Sequence, residues 1–69
     1  MPDELDQTLV GTIGVVTVPI EPGRAGEVVL AVRGGTEAYR AIADEKVRKN
    51  ARVVVVDLLS GRTVSVTPC

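Results

Sequence analysis

The chain has 69 residues, with 8 basic and 9 acidic side chains, no histidine and one cysteine. A chain of this length forms one domain, near the lower size at which a core stabilises a fold without disulfides or metal. The composition excludes thiolate–imidazole pairs, Ser-His-Asp triads and the usual zinc sites. The near-zero net charge gives no general attraction for nucleic acid or anionic lipid.

The chain begins with a segment whose composition predicts no regular structure. Residues 1–7 are acidic and polar and predict a flexible leader. The folded domain is therefore expected over residues 8–68. Within it, residues 9–18 have strand composition interrupted by Gly11 and Gly14. Interior glycines in a strand predict a bulge or a sharp bend.

Two more strands are predicted in the middle of the chain. A loop that ends at Gly26 returns the chain into a second strand over residues 27–33. Gly34-Gly35 predicts a hairpin turn, because both residues accept positive φ. The third strand is predicted over residues 36–43. A helix is the rival interpretation of this stretch, and the hairpin turn before it favours the strand.

The last third of the chain predicts a turn followed by two valine-rich strands. Residues 44–50 are charged around a single valine and predict one helical or 3₁₀ turn that plugs the end of a barrel. Asn50 suits a left-handed closing position. Strands are predicted over residues 51–59 and 62–67, joined by a tight turn that contains Gly61.

Five short strands, with the first one bent and a short element between the third and fourth, are typical of the five-stranded Greek-key β-barrel called the OB-fold. A bent first strand pairs in both sheets, which gives its glycines a physical role. SH3-like barrels are the main alternative, but they usually have a longer early loop and a 3₁₀ turn before the last strand. The sequence therefore predicts an all-β barrel of the OB type. Its structural turns and bends are expected at Gly11, Gly14, Gly26, Gly34, Gly35, Asn50 and Gly61.

The polar side chains show no pattern for catalysis or for a cofactor. Asp44 and Glu45 are the only adjacent acidic pair in the predicted fold, and adjacent carboxylates in a charged turn indicate solvated surface. The Gly34-Gly35-Thr36 stretch offers backbone amides to an anion, but a plain hairpin turn is the simpler interpretation. We therefore expect no enzyme, no cofactor and no metal site.

Binding of single-stranded nucleic acid is the alternative function, because many OB-folds stack bases on exposed aromatic side chains in a basic groove. Tyr39 is the sole aromatic residue of the chain. The cations that could gather a local positive field are Arg33, Arg40, Arg48, Lys49 and Arg52. In the opposing interpretation Tyr39 closes the barrel edge and these cations solvate the surface. We expect the second arrangement and no nucleic acid partner.

An ordered series of glycine- and valine-rich motifs carries a family resemblance. The series runs from Leu9-Val-Gly-x-x-Gly-Val and Gly26-Glu-Val, through Tyr39-x-Ala41 and Val47-x-Lys49-Asn50-Ala-x-Val-x-Val-Val, to Gly61-Arg-x-Val-x-Val-x-Pro68. With these motifs the chain resembles the C-terminal soluble domain of NfeD-like proteins over nearly the whole predicted domain. The family commonly has glycine where Asn50 stands, and asparagine accepts the same backbone angle.

The resemblance implies an OB-fold that is attached to membrane-spanning segments absent from this chain. Family members are typically encoded beside stomatin-like or flotillin-like membrane scaffold proteins, so the resemblance implies such a protein as the partner. Some longer relatives carry a serine-protease domain, and none of its Ser-Lys machinery is present in these residues. The implied role is a non-catalytic, membrane-associated protein-interaction module, and the single cysteine favours a cytoplasmic setting for it.

The partner-binding residues are expected where the surface is mildly apolar and small side chains let another backbone approach. The candidates are Arg24, Val29, Ala31 and Tyr39. Edge strands of a valine-rich barrel could also pair between chains, so the sequence leaves the oligomeric state open. Cys69 has no second cysteine with which to form an intramolecular disulfide, which favours a reducing compartment.

Overall fold

Valine-rich segments form the strands of this protein, because β-branched side chains fit a pleated, half-buried surface. The computed structural model describes residues 9–32 and 34–69, so the predicted leader at residues 1–7 and the end of the predicted second strand at Arg33 lie outside the described residues. The strands are β1 (Ile13–Val18), β2 (Gly26–Val32), β3 (Gly35–Ile42), β4 (Arg52–Ser60) and β5 (Thr63–Pro68). They close into a barrel in the order β1-β2-β3-β5-β4. The predicted all-β, five-stranded barrel of the OB type is confirmed.

The pairing of the strands shows where the barrel closes. β1 pairs antiparallel with both β2 and β4, which is the double pairing expected of the first strand. β3 and β5 run parallel and pair only from Arg40 to Ile42 on β3 and from Thr63 to Ser65 on β5. We call this short ladder the β3–β5 seam. It is the narrow closure of the barrel, since β3 pairs with β2 along nearly its whole length.

The beginning of the first strand differs from the prediction. β1 starts at Ile13, and the residues before it form a turn in which the Gly11 N–H donates to the Val55 carbonyl oxygen at 2.7 Å. Gly11 has a φ of 93°, which redirects the chain before the strand begins. The prediction of a strand over residues 9–18 was therefore wrong at its start. The irregularity inside β1 lies between Val16 and Val18 and not at a glycine.

Two of the predicted structural glycines stand where strands approach each other closely. A Cβ atom at Gly14 would meet the Leu30 side chain and would lie 2.9 Å from the Val29 carbonyl oxygen. A Cβ atom at Gly26 would meet the Val18 carbonyl oxygen. These glycines are therefore required by the space between the strands, and neither has a positive φ.

Around Val47 the segment between β3 and β4 is an extended bridge and not a helical or 3₁₀ turn. A short turn follows it, in which the Ala51 N–H donates to the Arg48 carbonyl oxygen at 3.2 Å. Val47 and Ile20 exchange two backbone hydrogen bonds, with N···O distances of 2.8 and 2.9 Å. These bonds hold Val47 in the core, where 3% of its surface is exposed. A single helical turn would be less stable, because it fixes several dihedral angles and forms only one hydrogen bond. Asn50 then closes the segment with a φ of 75°, which confirms its left-handed position.

The third element is a strand, so the rival helix is excluded. β3 pairs with β2 from Gly35 to Ala41, and the hairpin before it contains Gly34 with a φ of 78°. The other turn glycine of this hairpin, Gly35, is already the first residue of β3. Gly61 lies in the turn between β4 and β5, as predicted.

The core is built from alternate residues of the strands and from three apolar residues outside the strands. The buried side chains are Leu9, Val16, Ile20, Val28, Leu30, Tyr39, Ala41, Val47, Val53, Val55, Val64 and Val66. Within the described ranges no polar or charged residue other than the Tyr39 phenol is buried. The core therefore occupies the inward face of each strand, and apolar residues at the remaining strand positions must face outward.

Substitution of Gly26 tests the close approach of the strands. We expect Gly26→Ala to lower the free energy of unfolding by about 1 to 3 kcal/mol, the usual cost of overpacking, because its methyl group would meet backbone oxygen. Gly61→Ala is the matched control, since a Cβ atom there has nothing within 4 Å. Urea unfolding of both variants measures the difference. Equal stability of the two variants would contradict the account of Gly26.

Candidate partner-binding face

The surface of the barrel offers apolar area more than it offers chemically reactive groups. Among residues 9–32 and 34–69, no three His, Cys, Asp or Glu side chains are placed to hold a metal ion. The same part of the chain contains no helix that is long and apolar enough to span a bilayer. Exposed valine and isoleucine side chains are the most prominent surface feature, and they follow from the way the strands alternate.

β1 is apolar on both of its faces. Val16 points into the core and is fully buried, whereas Ile13 and Val15 point outward and expose 49% and 40% of their surface. Successive side chains of a strand point to opposite sides, so a strand with apolar residues at every position must present some of them to solvent. Single exposed apolar residues are normal in a soluble protein, whereas a large contiguous patch of them marks a binding surface.

The register of the strands places these outward residues side by side. Val15 lies opposite Val29 on β2, and Val29 lies opposite Ala38 on β3. On the other side of β1, Ile13 lies opposite Val54 on β4. Directly opposite residues have Cβ atoms about 4.5 to 5.5 Å apart, so their side chains touch across the strands. We define the apolar face as Ile13, Val15, Val29, Ala31, Ala38 and Val54.

Charged and polar side chains border the apolar face. Arg52 is exposed and lies opposite Val15 on the β4 side. On the far side, Glu27 lies opposite Arg40, and the Glu27 carboxylate accepts a hydrogen bond of 2.7 Å from the Thr17 hydroxyl. An apolar centre with a polar rim is the usual anatomy of a protein–protein interface.

The four candidate residues predicted from the sequence do not lie together. Val29 and Ala31 are both on the apolar face, two residues apart along β2. Arg24 is exposed but lies in the loop before β2, where its backbone pairs with Glu21. Tyr39 lies opposite Val28, and both residues are buried in the core. The expectation that Tyr39 contributes exposed surface beside Val29 was wrong, because β3 turns this side chain to the inside of the barrel.

Tyr39 is covered by a charged pair at the end of the barrel. The Arg62 guanidinium carbon lies 5.2 Å from the centroid of the Tyr39 ring, within the range of a cation–π contact. Arg62 Nη1 also donates a hydrogen bond of 2.7 Å to Glu37 Oε1. The hydrogen bond to Glu37, followed by the charge of this carboxylate, raises the pKa of Arg62 above its ordinary value. With 8% of its surface exposed, the sole aromatic side chain offers no platform on which a base could stack.

Sequence reasoning missed four residues of the apolar face, which are Ile13, Val15, Ala38 and Val54. The sequence does indicate the first two, because both the odd- and the even-numbered positions of residues 13–18 carry apolar side chains. A small barrel has one inward face for each strand, so half of such a strand has to be exposed. Ala38 and Val54 become part of the face only through their cross-strand neighbours, and strand register is not visible in the sequence.

A closed five-stranded barrel with β1 paired to two neighbours and a parallel β3–β5 seam defines the class of this protein as an OB-fold domain. Residues 13–67 match the family model described as the NfeD C-terminal domain. The chain therefore belongs to the NfeD family through this domain, and the resemblance seen in the sequence motifs is confirmed.

Two solved structures are similar over nearly the whole chain. The solution structure of the soluble domain of the NfeD protein YuaF from Bacillus subtilis is 30% identical, with a TM-score of 0.79 over 96% of this chain and 83% of that one. The C-terminal domain of stomatin operon partner protein 1510-C from Pyrococcus horikoshii is 29% identical, with a TM-score of 0.74 over 93% of this chain and 92% of that one. A comparison with curated proteins gave no match.

Neighbouring valines of β1 test the division between core and surface. We expect Val16→Ala to lower the free energy of unfolding by about 2 kcal/mol, because it leaves a cavity at a fully buried position. Val15→Ala removes the same atoms from an exposed position and should change stability by less than about 0.5 kcal/mol. Thermal and urea unfolding give both values. A large loss in Val15→Ala would show that this side chain belongs to the core and not to a binding face.

Proposed function

We propose that this domain is a non-catalytic protein-interaction module of a membrane-associated NfeD protein, and that its partner is a stomatin-like or flotillin-like membrane scaffold protein. The observation that carries the interaction role is the apolar face, which extends over four strands and has a polar rim. Membership of the NfeD family supports the link to a membrane. One similar structure belongs to a protein named as a stomatin operon partner, which supports the choice of partner.

Burial of apolar surface is the driving force in this proposal. Ile13 and Val15 are nearly half exposed in the free domain, so a partner that covers them removes apolar area from water at about 25 cal/mol per Å². Such binding depends weakly on salt, because few charges are involved. Binding of a nucleic acid would weaken steeply as salt rises, since counterions are released from phosphates. Salt dependence therefore separates the proposed module from the alternative OB-fold function.

The chemistry of the partner surface follows from the shape of the face. The side chains of the face are short and β-branched or are alanine, and none is aromatic. A surface of such short side chains fits an apolar strand or helix that approaches closely. Arg52 at the rim adds a place for a carboxylate of the partner. In this proposal the domain lies in the cytoplasm, where a chain with a single cysteine is kept reduced.

Charge placed in the middle of the apolar face tests the proposed function. We expect Val15→Glu and Val29→Glu each to weaken binding of the soluble part of a stomatin-like protein from the same organism by at least about tenfold, the effect of losing a central interface side chain. Isothermal titration calorimetry at two salt concentrations measures both the affinity and its salt dependence.

Leu59→Glu is the matched control for these variants. Leu59 exposes 48% of its surface, as much as Ile13, but lies five residues beyond Val54 on β4, which is about 16 Å along a strand. This variant should bind like the unchanged domain. Equal binding by all three variants, or no binding by the unchanged domain at high concentration, would contradict the proposed function.

A further inference from the structure

β3 has a stretch of open edge beside the apolar face. One edge of β3 pairs with β2 from Gly35 to Ala41. The other edge pairs with β5 only from Arg40 onward, because β5 begins at Thr63 and its chain turns away toward β4 before that point. Within the part of the chain that the structure describes, no strand pairs with this second edge over residues 35–38.

The direction of one hydrogen bond shows which backbone groups face the open edge. The Arg40 N–H donates to the Arg62 carbonyl oxygen at 2.8 Å, so the main-chain groups of Arg40 point toward β5. The N–H and C=O groups of successive strand residues point alternately to the two neighbours. Those of Ala38 and Thr36 therefore point to the same side as Arg40, beyond the end of the seam. Both residues are exposed.

This edge has little protection against pairing with another strand, since its one charged side chain, Glu37, is already paired with Arg62. Natural edge strands are shielded by charged side chains, proline, a bulge or a covering element. Residues 35–38 are Gly-Thr-Glu-Ala, and β3 pairs with β2 without a register shift. The small side chains of Thr36 and Ala38 leave room for another backbone. Ala38 also belongs to the apolar face, so a strand added here would continue the row formed by Val15, Val29 and Ala38.

Arg62 places a positive charge at the same edge. Its side chain is 67% exposed, although it is held in position by Glu37 and by the Tyr39 ring. A guanidinium has more N–H donors than these two neighbours use, so it can also bind a carboxylate of an incoming chain. The position of Arg62 is set before the partner arrives, which reduces the entropy cost of forming such a pair.

We propose that residues 35–38 of β3 bind an extended segment of the partner protein by β-strand addition. The segment carries small or β-branched apolar residues on the side of Ala38. It also carries an acidic residue that meets Arg62 from a position not directly opposite Glu37, where like charges would repel each other. Backbone hydrogen bonds to Thr36 and Ala38 supply the affinity of this mode, and the neighbouring side chains supply its specificity. The inference rests on the proposed function, because it describes how the same partner is held.

A second copy of this chain fits the edge less well than a different protein. The β3 edges of two copies could pair antiparallel through the backbone groups of Thr36 and Ala38. In that arrangement Glu37 of one copy lies directly opposite Glu37 of the other, with Cβ atoms about 4.5 to 5.5 Å apart. Like charges in this position destabilise a strand pair, and both guanidiniums of Arg62 would be drawn into the same space.

Residue-by-residue amide exchange tests the inference, with the soluble part of a stomatin-like protein from the same organism as the probe. In the free domain the Thr36 and Ala38 amides should exchange fast, while those of Glu37 and Tyr39, which point to β2, exchange slowly. Addition of the probe should slow Thr36 and Ala38 by at least about tenfold, equivalent to about 1.4 kcal/mol of protection. Contact with the apolar face alone would not produce this alternation.

A pair of variants at one position isolates the backbone donor. Ala38→Pro removes the N–H that faces the open edge, and proline is tolerated on an edge strand where this group points to solvent. Ala38→Val keeps the N–H and the apolar character. We expect Ala38→Pro to bind the probe about tenfold more weakly than Ala38→Val, the effect of one lost hydrogen bond. Both variants are first compared with the unchanged domain by their amide spectra, and Thr36→Pro replaces Ala38→Pro if the latter is unfolded.

The outcomes separate this inference from the function on which it rests. If Val15→Glu weakens binding but the Thr36 and Ala38 amides stay unprotected, the proposal of strand addition is wrong. The proposed interaction module is then still supported. Absence of any binding by the unchanged domain overturns both. Protection of the two amides that rises with the concentration of the domain alone would show pairing between copies and overturn the choice of a different protein as the occupant.

Discussion

The inside of a small barrel has room for one face of each strand, and both the core and the surface of this protein follow from that limit. Valine and its apolar relatives occupy nearly every position of β1 and much of β4. Val16, Val53 and Val55 fill the inside, where they are essentially fully buried. The residues between them have no interior to enter. Register then places them beside outward residues of β2 and β3, and this is the origin of the apolar face.

Closure of the barrel sets a second constraint, which concerns backbone groups. β3 begins before the level at which β5 starts, because the chain turns from β4 into β5 at that level. The result is one strand whose first half is paired on a single side. Arg62 comes from the same turn, and it meets both Glu37 and the Tyr39 ring. The end of the β3–β5 seam therefore brings together the open edge of β3, the positive charge of Arg62 and Ala38 of the apolar face.

Much of the fold could be predicted from local chemistry. Alternating valines, the hairpin at Gly34-Gly35 and the left-handed residue Asn50 indicated the strands and turns, because each is decided by residues that are close in sequence. The start of β1 and the extended bridge at Val47 were not predicted. Both depend on hydrogen bonds to distant segments, from Gly11 to Val55 and from Val47 to Ile20.

The candidate site was less predictable than the fold for the same reason. Val29 and Ala31 were recognised as small apolar residues of one strand, but their neighbours on the face come from other strands and are set by register. The sequence offers Tyr39 both as a partner-binding candidate and as the side chain that closes the barrel edge. Its inward direction is decided by its pairing with Val28, and Arg62 reaches it from more than twenty positions away in the chain.

The central claim is that the outer side of β1, β2 and β3 binds a membrane scaffold protein. The most direct measurement is an amide chemical-shift titration of this domain with the soluble part of the stomatin-like protein from the same organism. The account predicts shifts that cluster on Val15, Val29 and Ala38 and on their strand neighbours. Shifts confined to the opposite side of the barrel around Ser65, or no shifts at high concentration, would contradict it.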